Sequence, residues 1–243
     1  MARILITGSA DGLGHLAAKL LVHEGHRVVL HARNKERGKK ALDNVPGAET
    51  VLTADLADIE ETKRLADEAN ALGTFDAIIH NAGVYRTSGN LIFLVNTLAP
   101  YILTCLMNRP ERLIYLSSGL HMQGNPRLKG FDTGSVSYSD SKLHVVLLTK
   151  AVARKWQGVY ANALDPGWVP TKMGGPGAPG SLEKGFQTQA WLAVSNDKEA
   201  SVSGRYFYHK KEKHYLPEAD DLVVQERFLQ LCEEVCGVRF PGE

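Results

Sequence analysis

Ile4-Leu5-Ile6-Thr7-Gly8-Ser9-Ala10-Asp11-Gly12-Leu13-Gly14 begins three residues into the chain. A continuous aliphatic triplet is the mark of a parallel strand covered on both faces. The glycines that follow let the backbone turn sharply and leave room for a close approach. Leu13 to His23 then carries helical periodicity. A helix starting at such a turn offers unpaired N–H groups and a positive dipole end to an anion. Glycine clusters after strands are common; the informative part is the spacing, Gly-x-x-x-Gly-x-Gly.

Outward from this stretch the same alternation repeats. Strands are predicted at 27–31, 50–53, 75–80, 112–117 and 159–164, with helices at 35–44, 59–72, 91–107 and 138–155 between them. Val28-Val29-Leu30 and Ala77-Ile78-Ile79 are again apolar without a break. Repeated strand-helix-strand units with right-handed crossovers predict an α/β fold, a doubly wound parallel sheet of the Rossmann type in three αβα layers. One domain is expected over residues 1–243, with a Gly/Pro-rich substrate loop around 172–186. Its Gly174 to Gly185 stretch, which includes Pro176 and Pro179, is expected to form no regular element.

The bulk composition narrows the function classes. The 243 residues are 44% hydrophobic and 23% charged, with a net charge of +1. That balance is globular and argues against a polybasic nucleic-acid surface. Three cysteines, an odd and low count, predict a reducing compartment and no disulfide framework. Cys232 and Cys236 have no further Cys or His beside them to complete a zinc site, so no metal is expected. The strand at Arg3 leaves no room for a signal peptide, which predicts a cytoplasmic protein. The apolar run from Leu91 to Met107 holds Asn96, Thr97 and Pro100. It is short for a membrane span and is expected as a buried core helix, with no membrane partner.

The glycine spacing resembles the first turn of the short-chain dehydrogenase/reductase family, Thr-Gly-x-x-x-Gly-x-Gly. The resemblance continues at Ala54-Asp55-Leu56, at Asn81-Ala82-Gly83 and at Pro166-Gly167-Trp168-Val169-Pro170-Thr171, each at the end of a predicted strand. It implies a dinucleotide held by Gly8, Ser9, Asp11, Gly12, Leu13 and Gly14, with Asp55 on the adenine and Leu56 beside it. Asn81, Ala82 and Gly83 extend that site, and Pro166, Gly167, Val169 and Thr171 lie toward the nicotinamide. Taken singly, Asn81 reads equally as a turn brace and Pro166-Gly167 as a strand end.

Tyr138-Ser139-Asp140-Ser141-Lys142 sets a phenol and an ammonium on one helix face. A free phenol titrates near ~10 and needs assistance to transfer protons at neutral pH. A neighbouring ammonium is expected to lower that value. In the family these are the proton donor and its partner, and Lys142 also holds the nicotinamide ribose. The resemblance further assigns Ser118, with Ser117 as the fallback, to the substrate oxygen, and Asn96 to a water that reaches Lys142. Only 14 residues, 82–95, separate Asn81 from Asn96, fewer than expected of relatives.

The implied reaction is hydride transfer between NADP(H) and a carbonyl or alcohol, with NAD(H) as the second candidate cofactor. Ala32 replaces the acid that holds an NAD ribose, and Arg33 follows it, with Lys35 and Arg37 nearby. Asp11 weighs the other way. Trp168, Met173 and Phe186 predict an apolar pocket and a hydrophobic ketone or aldehyde. Ser203-Gly204-Arg205-Tyr206-Phe207 and the final helix are similar to the retinol-dehydrogenase-like branch of the family. A homo-oligomer, dimer or tetramer, fits the same likeness. The competing reading is a non-catalytic dinucleotide-binding protein on the same fold. A sugar-nucleotide epimerase is disfavoured by the glycine spacing.

Overall fold

The structure is a computed structural model and describes residues 1–242. Its elements run β1 (Arg3–Ile6), α1 (Gly12–His23), β2 (Arg27–Ala32), α2 (Lys35–Asn44), β3 (Thr50–Thr53), α3 (Ile59–Ala71) and β4 (Ala77–His80). Then come α4 (Gly89–Ile92), a π-helical stretch (Phe93–Leu98), α5 (Ala99–Leu106), β5 (Arg112–Leu116), α6 (Tyr138–Lys155) and β6 (Tyr160–Asp165). The chain ends with α7 (Leu182–Val194), β7 (Tyr206–Tyr208), β8 (Lys211–Glu212) and α8 (Leu222–Cys236). Short 3-10 turns lie at Gly119–Gln123 and Pro217–Asp220.

The strands form one sheet in the order β3-β2-β1-β4-β5-β6-β7-β8. Seven are parallel, and only β8 runs against its neighbour β7. Alternate side chains explain why the strands are apolar throughout. Leu5, Val29, Ile78, Leu113 and Tyr115 face a core with α3, α5, α6 and α8. Ile4, Ile6, Val28, Leu30, Ile79 and Ile114 face the opposite core with α1 and α7. This is the doubly wound Rossmann architecture. Strand order reverses at β1 and β4, where ligands of such sheets bind beyond the carboxyl ends.

Three details differ from the sequence expectations. Gly89–Leu106 is an 18-residue helical run, long and apolar enough to cross a membrane by length and composition. It is 67% buried, however, and packs its apolar face into the protein. The Gly/Pro-rich segment stays irregular only to residue 181. Ser181 caps α7 by accepting the Lys184 N–H, and Gly185 lies inside that helix. A Cβ at Gly185 would meet Val169 Cγ1 at 3.1 Å and Pro166 O at 3.2 Å, so glycine permits the close packing of helix on loop. The short edge strand β8 carries Lys211 and Glu212, both exposed, and no apolar pattern marks it.

Candidate active site

The glycine turn is held from three sides. Gly8 adopts φ +64°, and a Cβ there would lie 2.8 Å from Ala82 Cα. The Gly8 N–H donates to His31 Nδ1 at 2.9 Å, while His31 Nε2 bonds the Ala54 carbonyl at 3.1 Å. Only the neutral imidazole protonated at Nε2 makes both bonds at once, because Nδ1 must accept, and burial holds the pKa of the ring down to about 4. Asn81 Nδ2 donates to the carbonyls of Thr7 at 2.9 Å and Gly8 at 3.1 Å, and the Ala82 N–H donates to Thr7 Oγ1. Asn81 therefore braces the turn. A Cβ at Gly14 would lie 2.3 Å from Asn81 Nδ2, so α1 sits on the brace only because that residue is glycine.

Beyond the turn opens a cleft of about 420 Å³. Among the residues expected at a cofactor, Gly8, Asp11, Gly12, Leu13, Arg33, Asp55, Leu56, Asn81, Ala82, Gly83, Tyr138, Lys142, Pro166 and Thr171 line it. Ser9 does not: its hydroxyl donates to Ile6 O and accepts the His31 N–H inside the protein. Gly14, Gly167 and Val169 also stand behind the wall. Gly167 packs against Tyr208 and His209, and Val169 is buried beneath the Gly174–Gly180 segment. Ala10, His31, Ala32, Arg37, Ala54, Val84, Leu91, Val95, Leu116, Ser117, Lys172 and Met173 complete the lining, and Ser118 is not among them. Of these, His31 carries no local signal, because its role depends on a turn 23 residues away.

Asp11 forms ion pairs with Arg37 at 2.8 Å and Lys172 at 3.1 Å across the mouth of the cleft. Burial pushes this carboxyl up, but hydrogen bonds from Lys172 and Arg37 outweigh it and hold the group below its usual range.

At the far end of the cleft, Tyr138 opens α6 behind a capping box made by Ser137 and Asp140. Lys142 Nζ lies 5.5 Å from the Tyr138 ring centroid and donates to Leu116 O at 2.8 Å. Burial lowers the ammonium to about 8. Burial also drives the Tyr138 phenol up to about 12, against a hydrogen bond with Ser118 that lowers it; Asp165 and Tyr85 add to the rise. The expected depression of the phenol by Lys142 is not found: the one contact that lowers it is Ser118, and desolvation leaves the group above its free value. Ser117 is tied down, its Oγ donating to Lys142 O at 2.8 Å. Ser118 keeps its hydroxyl at the Tyr138 side, where it also accepts the Leu120 N–H.

Asn96 sits in the π-helical stretch and is buried. Its Oδ1 accepts the Val84 N–H at 2.8 Å, and its Nδ2 donates to Val84 O at 3.0 Å and Ser141 Oγ at 3.1 Å. Both amide donors are occupied, so the side chain acts as a clamp on the chain after β4 (Ala77–His80). Gly83 runs between Asn96 and Lys142: a Cβ there would be 3.5 Å from Asn96 Oδ1 and from Lys142 Nζ.

The pocket expected from Trp168, Met173 and Phe186 is only partly assembled. Met173 lines the cleft, Trp168 is 63% exposed with its indole N–H on Gly174 O, and Phe186 is half-buried against the core that α1 shares. The cysteines are free, and the described residues contain no group of metal-ligating side chains.

A family profile described as short chain dehydrogenase matches residues 2–107. An uncharacterized oxidoreductase of Emericella nidulans is 47% identical with 100% of each chain covered, and a short-chain dehydrogenase of Gibberella zeae is 44% identical over the same full coverage. Human retinol dehydrogenase 13 is a more distant relative, 30% identical over 98% of this chain and 86% of its own length. A crystal structure of an uncharacterized protein from Mycobacterium Paratuberculosis shares the fold with a TM-score of 0.82 at 22% identity, covering 99% of this chain and 95% of that one. The protein belongs to the short-chain dehydrogenase/reductase family. It is an oxidoreductase of the NAD(P)-binding, small-molecule kind that this family comprises.

The residues fit a dinucleotide. Gly12 has φ +61° and nothing within 4 Å of where a Cβ would stand, which leaves its side of the first turn of α1 open to a phosphate.

Proposed function

We propose that the protein is a cytoplasmic, NADPH-dependent carbonyl reductase acting on hydrophobic ketones or aldehydes. One observation carries the reading: Tyr138 and Lys142 line the same cleft as the glycine turn. When bound there, the nicotinamide supplies the hydride. Tyr138, protonated at neutral pH, gives its hydroxyl proton to the carbonyl oxygen. Ser118 holds that oxygen beside the phenol and stabilises the growing negative charge. Lys142 keeps a positive charge behind the phenol and would hold the ribose hydroxyls of the bound cofactor. Asn96 keeps Gly83 and Val84 in place, so that the wall between the two ends of the cleft does not shift.

The NADPH preference rests on Ala32, Arg33 and Arg37, which all line the cleft. No acid stands at residue 32 to repel a 2′-phosphate, and two guanidinium groups lie beside it. The hydrophobic substrate rests on Leu91, Val95 and Met173 in the lining and on Leu120, Met122 and Trp168, all exposed near the carboxyl ends of β5 and β6. The relatives named retinol dehydrogenase support the same class.

The test is a panel of bulky and small ketones and aldehydes with NADPH and NADH, followed by loss of reduced-nicotinamide absorbance. Turnover of hydrophobic members with NADPH is expected. Silence across the panel, or a preference for NADH, overturns the proposal.

A further inference from the structure

Tyr85 is a large aromatic residue left 38% exposed at the rim of the site. Its ring centroid lies 4.6 Å from that of Tyr138, tilted by 56°. That contact is built from both sides. Val84, immediately before it, is clamped at its N–H and its carbonyl by Asn96. The remaining Asn96 donor holds Ser141 Oγ, and Ser141 Oγ in turn donates to Tyr138 O at 2.8 Å. One short chain of hydrogen bonds therefore fixes the backbone under both tyrosines. On the other side Arg86 takes φ +54°, an uncommon conformation for a residue with a side chain, and lies 5.4 Å over the Tyr85 ring. Backbone strain of this sort persists only where its surroundings hold it.

Such a frame is more than a core contact requires, because the ring it holds remains open to solvent. We propose that Tyr85 is a specificity-determining and positioning residue: it covers one side of the Tyr138 phenol and presents an aromatic wall that selects planar, aromatic carbonyl compounds. This rests on the carbonyl-reductase reading and names its substrate class. With its carbonyl at the Tyr138 hydroxyl, a flat ring would have the Tyr85 ring, 4.6 Å from that of Tyr138, as an aromatic neighbour, an interaction that a puckered aliphatic ring of the same size lacks.

The experiment compares wild type, Tyr85→Phe and Tyr85→Ala on aryl ketones and on cyclohexyl ketones of matched size, with NADPH affinity by fluorescence as a control. Tyr85→Ala should lose about tenfold in kcat/KM on aryl ketones and no more than about twofold on cyclohexyl ketones, and Tyr85→Phe should restore the difference. Removing the ring also opens the phenol to water, so the alkaline pH at which reduction fails through loss of the Tyr138 proton should move down in the Ala variant. Equal losses on both series would make Tyr85 merely structural and overturn the proposal, as would no loss on either. Calorimetric binding of an aryl ketone to the NADPH-saturated proteins separates the two readings. Binding that weakens in Tyr85→Ala without turnover in wild type keeps the aromatic wall and sinks the reductase. Turnover with no difference between the proteins does the reverse, and neither binding nor turnover sinks both.

Discussion

At the glycine-turn end of the cleft the walls are backbone and small side chains. Gly8, Gly12, Ala82 and Gly83 line it, braced from behind by Asn81 and His31. At the Tyr138 end the walls are larger side chains, Tyr138 itself, Lys142 and Met173, with the Tyr85 ring packed against that of Tyr138 and with Trp168 and Met122 exposed on the segments that follow β6 and β5. The first end has almost no freedom, since a single Cβ at Gly8 meets Ala82 at 2.8 Å. The second is walled by side chains, which can differ in shape without moving the backbone. A fixed grip on a common cofactor and an adjustable grip on a particular substrate are therefore built from different materials on one sheet edge.

The largest effect, and the one that divides the two ends most cleanly, is expected of Tyr138→Phe. Loss of a positioned general acid costs on the order of 10²–10⁴ in rate, while the glycine-turn end should keep its NADPH affinity within about twofold. Fluorescence titration and initial rates on the same preparation check both halves. A Phe variant near wild-type activity would remove Tyr138 from the chemistry.

Acid should strike both ends through their buried histidines. The imidazoles of His31 and His144 are held to about 4, and that of His80 to about 3, by burial. The unfolded chain binds protons near 6.5, so between these values it holds more protons than the folded one. Stability is therefore full above pH 6.5 and falls as the pH drops toward 4. Each histidine contributes about 3 kcal/mol of that loss, at ~1.4 kcal/mol per pKa unit. Urea midpoints at pH 7.5 and 5 should fall less in His144→Gln than in wild type. His31→Gln should flatten the slope too, and it alone should loosen the cofactor site, because of the three histidines only His31 bonds Gly8. Parallel slopes in all three proteins would refute the assignment.

Arg33→Ala should cut the NADPH over NADH ratio in kcat/KM about tenfold, the value of one charge-assisted hydrogen bond. Ala32→Asp should do the same or more. If either variant still favours NADPH as strongly as wild type, the 2′-group sits elsewhere. The smallest effect is expected of Asp11→Asn. Removing its charge frees Arg37 and Lys172 and should raise the NADPH preference by about threefold, the ~0.2–1 kcal/mol scale of exposed ion pairs. A fall in that preference would show that Asp11 orients Arg37 rather than competing for it.

Most of the cofactor end is legible in the amino-acid sequence. Positive φ at Gly8 and Gly12, uninterrupted aliphatic strands and the one-turn spacing of Tyr138 and Lys142 are local properties, set by a few neighbouring residues. The order of the motifs along the chain then specifies the order of the elements around the sheet, because parallel crossovers have one hand. Local patterns lose their force where a residue's surroundings come from far along the chain. Ser117 and Ser118 are equivalent as text; only the packing of β5 on α6 gives Ser117 to the Lys142 carbonyl and leaves Ser118 beside Tyr138. Phe186 sits next to a glycine-rich loop in sequence, yet α7 turns it against the core, half-buried and outside the cleft lining. His31 meets Gly8 across 23 residues, and Asn96 meets Ser141 across 45. Backbone sterics and helical period, both written in neighbouring residues, were enough to specify the glycine turn and to set Tyr138 and Lys142 on one helix face. Which polar groups are occupied, how far burial shifts their protonation, and that Tyr85 covers Tyr138 were settled by the folded layers, because desolvation and long-range hydrogen bonds exist only once those layers close.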